Sequence, residues 1–194
     1  MTITIGIAVL NILIFLVLSF GGRTEDAAYM MEHGAMYVPY LLENGERYRL
    51  FSSMFLHFGI THLVNNMVTL VVMGKAVERF LGKIRFAIIY LLSGLGGNLL
   101  SLYGEILFEN YHVSAGASGA IFGLTGALLA MSLSKRYRYV INRQSIIFIV
   151  ILNLYLGFTS QGVDNLAHIG GLITGFLVAM LLAGIPRRSY RHFR

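Results

Sequence analysis

Six apolar segments, near residues 3–21, 52–73, 84–104, 115–133, 140–158 and 166–185, constrain this 194-residue chain more than any other feature. Each approaches the ~20 residues that an α-helix needs to cross a hydrocarbon core of about 30 Å. They are continuously apolar rather than alternating, which selects helices over the strands of a barrel. Only 12% of the residues are charged and 56% are hydrophobic, whereas soluble domains carry about 25% charged residues. The chain therefore has too little polar side chain to coat a surface in water. The expected fold class is an all-α membrane protein, a single domain over residues 1–194 with six transmembrane helices. The fifth segment is the weakest, because Asn153 interrupts it and Tyr137, Tyr139 and Asn142 blur its edge.

The charges order these segments. Lys75, Arg79, Lys83 and Arg85 fall in the second loop, and Lys135, Arg136, Arg138 and Arg143 in the fourth. Arg187, Arg188, Arg191 and Arg194 fall in the tail, so 12 of the 15 basic residues belong to one side. Arg23, Arg47 and Arg49 are the exceptions, and every acidic residue except Glu78 belongs to the other side. Positive charge accumulates on the cytoplasmic face, which places both termini and loops two and four in the cytoplasm, in a multi-pass protein of a bacterial plasma membrane. The same distribution accounts for the net charge of +6 as a topology signal, so nucleic acid is not an expected partner. The absence of cysteine excludes disulfides and thiol chemistry. No basic n-region opens the chain, so the first segment is expected to stay as a helix. The first loop, about 22–51, mixes Met30, Met31, Met36, Tyr37 and Leu41 with charges, and is expected to lie at the membrane interface rather than to be disordered.

Polar groups inside a span are costly and mark sites. The second segment holds His57, His62, Asn65 and Asn66; the fourth begins Gly116-Ala117-Ser118-Gly119; the sixth begins Asn165-Leu166-Ala167-His168-Ile169-Gly170-Gly171. These three segments enter from the same, outer face. His62, Ser118 and His168 are therefore expected at a similar depth, on the order of 5–15 Å below that boundary. Ser118 at a helix start has unsatisfied backbone N–H groups beside it, suited to an oxyanion. Its surroundings read equally as a packing face, since Ala115, Gly119 and Gly123 recur every four residues. Gly171 and Gly175 share a face with His168 and would bring the sixth helix against the fourth, with imidazole near the serine hydroxyl. A histidine bonded to a backbone carbonyl is the simpler alternative. His62 and Asn66, four apart, both offer donors and could equally be glue between helices. Phe122 is one turn from Ser118, placed to pack on the His168 ring or to fill the core. Asp164 is expected in a loop and solvated. No His-Glu-x-x-His pattern is present, so no metal is expected. No paired intramembrane aspartates are present either, which removes aspartyl chemistry.

Taken together, the Gly116–Gly119 run, His62 with Asn66, and Ala167-His168 followed by Gly171 and Gly175 resemble the rhomboid intramembrane serine proteases. Tyr48-Arg49 resembles that family's Trp-Arg pair with tyrosine replacing tryptophan, and Phe122 stands where an aromatic residue stacks on the base. The match runs in order from about Arg47 to Gly175. The resemblance implies a six-transmembrane-helix rhomboid-like bundle in its minimal form, with no soluble domain before the first span and no seventh span. It implies a Ser118–His168 dyad, an oxyanion hole from the Ser118 N–H, His62 and Asn66, and supporting roles for Gly116, Gly119, Phe122, Gly171, Gly175 and Arg49. It further implies no cofactor, an outward-facing wet cavity, a gating fifth helix, and single-span membrane proteins as substrates, cut near the outer boundary. An inactive relative that binds membrane proteins without cutting is the alternative. The residues leave the oligomeric state and natural substrate open.

Overall fold

The computed structural model describes residues 1–135, 137, 139–160 and 162–183. Nine α-helices are present among them, and no strand: α1 (Thr2–Gly21), α2 (Ala27–Glu32), α3 (Val38–Glu43), α4 (Arg49–Ser52), α5 (Gly59–Leu81), α6 (Lys83–Phe108), α7 (Ser118–Leu133), α8 (Arg143–Thr159) and α9 (Asn165–Ala183). The protein is a helical membrane bundle. Helices α1, α5, α6 and α9 are long and apolar enough to cross a membrane, and α7 and α8 are shorter apolar helices. Large apolar side chains cover the outside: Phe20 is 90% exposed, Ile84 77% and Leu181 76%. Lipid, not water, is the solvent that such a surface requires. Arg136, Arg138 and the tail arginines 187, 188, 191 and 194 of the charge pattern lie outside the described residues.

Contacts between helix ends fix an alternating path. At one end, the Met1 amino group lies 3.2 Å from Glu78, whose carboxylate also accepts from the Thr4 N–H at 2.9 Å. The start of α1 therefore meets the close of α5. At the opposite end, Met36 pairs with Ser114, and the Ser101 hydroxyl of α6 donates to Asp164 before α9 at 2.6 Å. The first, third and fifth loops thus share one end of the bundle.

The second expected span is displaced. The apolar run begins at 52, but the helix begins at Gly59 and continues to Leu81. Residues 53–55 form a 3-10 turn, Leu56 is extended, and Gly59 takes φ 75°, so a regular helix cannot run through this stretch. Hydropathy does not register that break. At the far end the charged turn stays helical because Glu78 is satisfied by the start of α1. The third span likewise extends to Phe108, past the expected 104.

The first loop is ordered by α2, α3 and α4 around Arg49, which is 3% exposed. Its Nη1 donates to the Met31 and Ala35 carbonyls, the latter at 2.8 Å, and its Nε to Glu46 at 2.7 Å. Tyr40 and Tyr48 lie against the guanidinium, their ring centroids 5.0 and 5.5 Å away. Asn44 and then Arg49 hold the partly exposed Glu46 carboxyl below its ordinary range.

Candidate active site

Helix α7 has 16 residues, about 24 Å of rise, which is short of a core about 30 Å thick. Irregular backbone precedes its N-terminus. Such backbone is tolerated only where protein satisfies it. Here the Gly116 N–H donates to the Ser53 carbonyl at 3.0 Å, Ser114 pairs with Met36, and the Ala117 N–H meets His57 Nε2 at 3.5 Å. Phe58 precedes the left-handed Gly59, and His57, 1% exposed, fills the space between this strap and α5.

Ser118 is the first residue of α7. The first helical hydrogen bond runs from the Ile121 N–H to the Ala117 carbonyl at 3.0 Å. The N–H groups of Ser118, Gly119 and Ala120 precede it and lack intrahelical acceptors. Gly116 has φ 146°, and a Cβ there would lie 2.9 Å from His62 Cε1, 3.0 Å from His62 Nε2 and 3.5 Å from Ser118 Oγ. Only glycine leaves room for the imidazole beside the serine. Asn66, one turn along α5, donates to the His62 carbonyl at 3.0 Å. Asn66 and Ser118 face a common cavity of about 130 Å³, with Asn65 and Thr69 of α5, Ile121, Phe122 and Thr125 of α7, and Val150 and Asn153 of α8.

His168 stands behind this cavity. Its ring is stacked on Phe122, with centroids 4.2 Å apart and planes at 14°. Phe122 thus touches both the cavity and the imidazole. His168 is 8% exposed and its Nδ1 has no hydrogen-bond partner. The Ser118 hydroxyl and the His168 ring form no direct hydrogen bond in this conformation. Helices α7 and α9 meet backbone to backbone below them. A Cβ on Gly171 would lie 2.0 Å from the Gly119 carbonyl oxygen, and one on Gly175 2.0 Å from that of Gly123. The four glycines singled out in the sequence therefore form one seam, and packing and site are the same feature.

Asp164 corrects an expectation. It is not solvated: its side chain is 14% exposed. Its Oδ1 accepts from the Ala167 N–H at 2.8 Å, its carbonyl from the His168 N–H at 3.2 Å, and its Oδ2 from the Ser101 hydroxyl at 2.6 Å. It caps the helix that carries His168, and its carboxylate oxygens bond Ala167 and Ser101 rather than the ring, so no triad forms. An aspartate three residues before the first helical N–H it serves is a sequence-level cap signal, and that signal could have found it. Asp164→Ala is expected to lower stability by about 1–2 kcal/mol, read as a fall in the unfolding midpoint in detergent, while Asp164→Asn, which can still cap, should fall by less. Equal midpoints for Asp164→Ala and the parent would remove the cap from this account. The cavity-lining Thr69 and Thr125 also escaped the sequence, since a threonine that bonds its own helix, as Thr69 does to Asn65 at 2.8 Å, looks like ordinary helix surface.

A bundle of apolar helices with these spans defines a polytopic membrane protein. The rhomboid domain matches residues 44–185, and the chain belongs to the rhomboid family. It is 42% identical over 179 residues to "Rhomboid protease GluP" of Bacillus subtilis (strain 168), covering 92% of this chain and 34% of that protein. It is 40% identical over 164 residues to "RHOMBOID-like protein 6, mitochondrial" of Arabidopsis thaliana, covering 83% of this chain and 52% of that one. "Putative rhomboid protease YdcA" of Bacillus subtilis is 38% identical over 150 residues, 76% of this chain and 73% of that protein. The chain thus spans between a third and about half of the length of the first two relatives.

Proposed function

We propose that this protein is an intramembrane serine endopeptidase that cuts single-span membrane proteins near the outer boundary of the bilayer. The observation that carries the reading is the placement of Ser118 at the open N-terminus of a short helix, between the His62 imidazole and a cavity, with His168 one stacked ring away. His168 takes the Ser118 proton as the hydroxyl attacks the substrate carbonyl, forming a tetrahedral intermediate. The Ser118 N–H, His62 and Asn66 hold its oxyanion. His168 then protonates the leaving amine, and water in the cavity hydrolyses the acyl-enzyme. The Ser118–His168 hydrogen bond forms when substrate enters, as catalytic contacts commonly tighten only in the complex. Helix α8, along which only Ile146 and Gly157 are buried, is the element free to move aside and admit a substrate helix.

The deciding experiment reconstitutes the protein in liposomes with a panel of single-span substrates and identifies the products by mass spectrometry. His62→Ala and Asn66→Ala should each slow cleavage by about 10- to 1000-fold, the range for lost oxyanion donors. Rates within twofold of the parent for both would take them out of the mechanism. An inactive membrane-protein-binding relative would capture substrates in this assay and leave them whole.

The charge pattern supports an orientation with both termini in the cytoplasm. The chain lacks cysteine, so single cysteines at Asn110 and Lys135 report sidedness directly. A membrane-impermeant maleimide should label the first from outside and the second only from inside. Labelling of both from one side would overturn the orientation.

A further inference from the structure

Three side chains of metal-ligating type converge at the Ser118 end of the bundle, outside the cavity. The geometry points to a binding site for a divalent transition-metal ion formed by Glu105, His112 and Asp164, tying the α6–α7 loop to the start of the helix that carries His168. Ligand spacing along one helix, the signal a sequence offers, gives no sign of this metal site. These three come from the end of α6, the following loop and the cap of α9.

One ligand atom from each of the three lies within 4.8 Å of the others. His112 Nε2 is 3.5 Å from Glu105 Oε1 and 3.9 Å from Asp164 Oδ2. Ligands at the 2.0–2.2 Å typical of zinc stand about 3.3 Å apart in a tetrahedron. The two distances from His112 are therefore already close to that spacing, and the two carboxylates, within 4.8 Å of each other, draw together as an ion binds.

Both carboxylates are aimed by hydrogen bonds that leave one oxygen for the centre. Glu105 Oε2 accepts from the His112 backbone N–H at 3.2 Å, leaving Oε1 beside the imidazole. Asp164 Oδ1 accepts from the Ala167 N–H at 2.8 Å, leaving Oδ2 there. The Ser101 hydroxyl stands against both centre-facing oxygens, donating to Asp164 Oδ2 at 2.6 Å and lying 3.4 Å from Glu105 Oε1, and each carboxylate oxygen keeps a further lone pair for an ion. Outer partners that fix one face of a ligand are how proteins orient metal sites.

Charge argues the same way. Glu105 is 3% exposed, and the Asp164 side chain is largely covered. Two adjacent carboxylates repel strongly away from water, and among the described residues His112 is the one basic side chain within 4 Å of them. A divalent ion bound to two carboxylates and a neutral imidazole balances the charge fully. The donor set, two oxygens and one nitrogen, suits Zn²⁺, Mn²⁺ or Co²⁺. His112, half-exposed, leaves an entry path and room for water as a fourth ligand.

The test uses the full chain in detergent, stripped with a chelator, and does not depend on proteolysis. Co²⁺ is titrated by its visible absorption, and Zn²⁺ by competition with a chromophoric chelator. One equivalent of each should bind, and Zn²⁺ should raise the unfolding midpoint until chelator is added. Glu105→Gln and His112→Ala, which leave Asp164 to cap α9, should each weaken Zn²⁺ binding by at least about 10- to 100-fold. Their midpoints without metal establish that they fold. Absence of saturable binding at one equivalent overturns the proposal. So does binding that both variants leave unchanged, which places the ion on other histidines.

Discussion

Ser118→Ala and His168→Ala are each expected to reduce cleavage of a membrane substrate to background, a loss on the order of 10⁴- to 10⁶-fold. The size follows from the division of labour at the site. Without the hydroxyl there is nothing to acylate, and the oxyanion donors have no tetrahedral centre to hold. Without the imidazole the serine keeps its proton, and a neutral hydroxyl is a poor nucleophile. The two losses should not add, because they remove parts of one step. A fluorophosphonate probe should label the parent on Ser118, leave Ser118→Ala unlabelled, and label His168→Ala far more slowly. Neither change should unfold the protein. Ser118 is the first residue of α7, and alanine fits wherever serine does. His168→Ala opens a gap against Phe122, so its midpoint should fall modestly while its activity vanishes. Cleavage at the parental rate by Ser118→Ala would leave the proposed mechanism without its nucleophile.

The fold was legible because lipid imposes a simple rule. Apolar runs long enough to cross a bilayer have one stable backbone conformation, so six segments predict six helices, of which α1, α5, α6 and α9 are long enough to span and α7 and α8 are shorter. Their ends were harder. The start at Gly59 depends on a positive φ, and hydropathy is blind to dihedral angles. The continuation of α5 to Leu81 depends on a partner 74 residues away, Thr4, whose hydroxyl donates to Glu78 at 2.6 Å. The candidate site was legible where rarity and spacing coincide. A histidine inside a span is expensive, and Gly171 and Gly175 lie on its face at i+3 and i+7. Asp164 was misread because it is polar and stands at a loop, which is the ordinary setting of a solvated carboxylate. Only the fold brings Ser101 beneath it. The cluster with Glu105 and His112 was illegible for the same reason, since its members share no helix and no spacing.

Gly171→Ala and Gly175→Ala are expected to be the most damaging changes to stability of any single added methyl group. Ordinary cavities or flexible neighbours absorb a methyl, but here the obstacle is backbone. The new Cβ would lie 2.0 Å from a carbonyl oxygen of α7 at both positions, and 2.7 and 2.5 Å from the carbonyl carbons. Real contacts of this kind need more than an ångström of further separation. Helix α9 cannot retreat to provide it, because α6 closes on its other side. A Cβ on Gly170 would already lie 2.8 Å from the Gly96 carbonyl, and one on Gly97 2.6 Å from that of Ala167. The helix is held in a slot between two backbones, so either substitution must spread three helices. Overpacking a core costs about 1–3 kcal/mol and occasionally more, and a slot without side chains to yield belongs at the upper end. Activity should suffer beyond stability. Ser118 and His168 ride on the two helices forced apart, and a displacement of about 1 Å at reacting groups costs about 100-fold in rate. Gly6→Ala is the control: it lies in α1 with nothing within 4 Å of the added carbon, and alanine favours a helix by about 1 kcal/mol over glycine. Thermal unfolding in detergent and liposome cleavage should therefore separate the three variants, with Gly6→Ala at or above the parent in both. Parental midpoints for Gly171→Ala and Gly175→Ala would mean that α7 and α9 are not in backbone contact, and the glycine seam would have to be abandoned as the device that brings serine and histidine together.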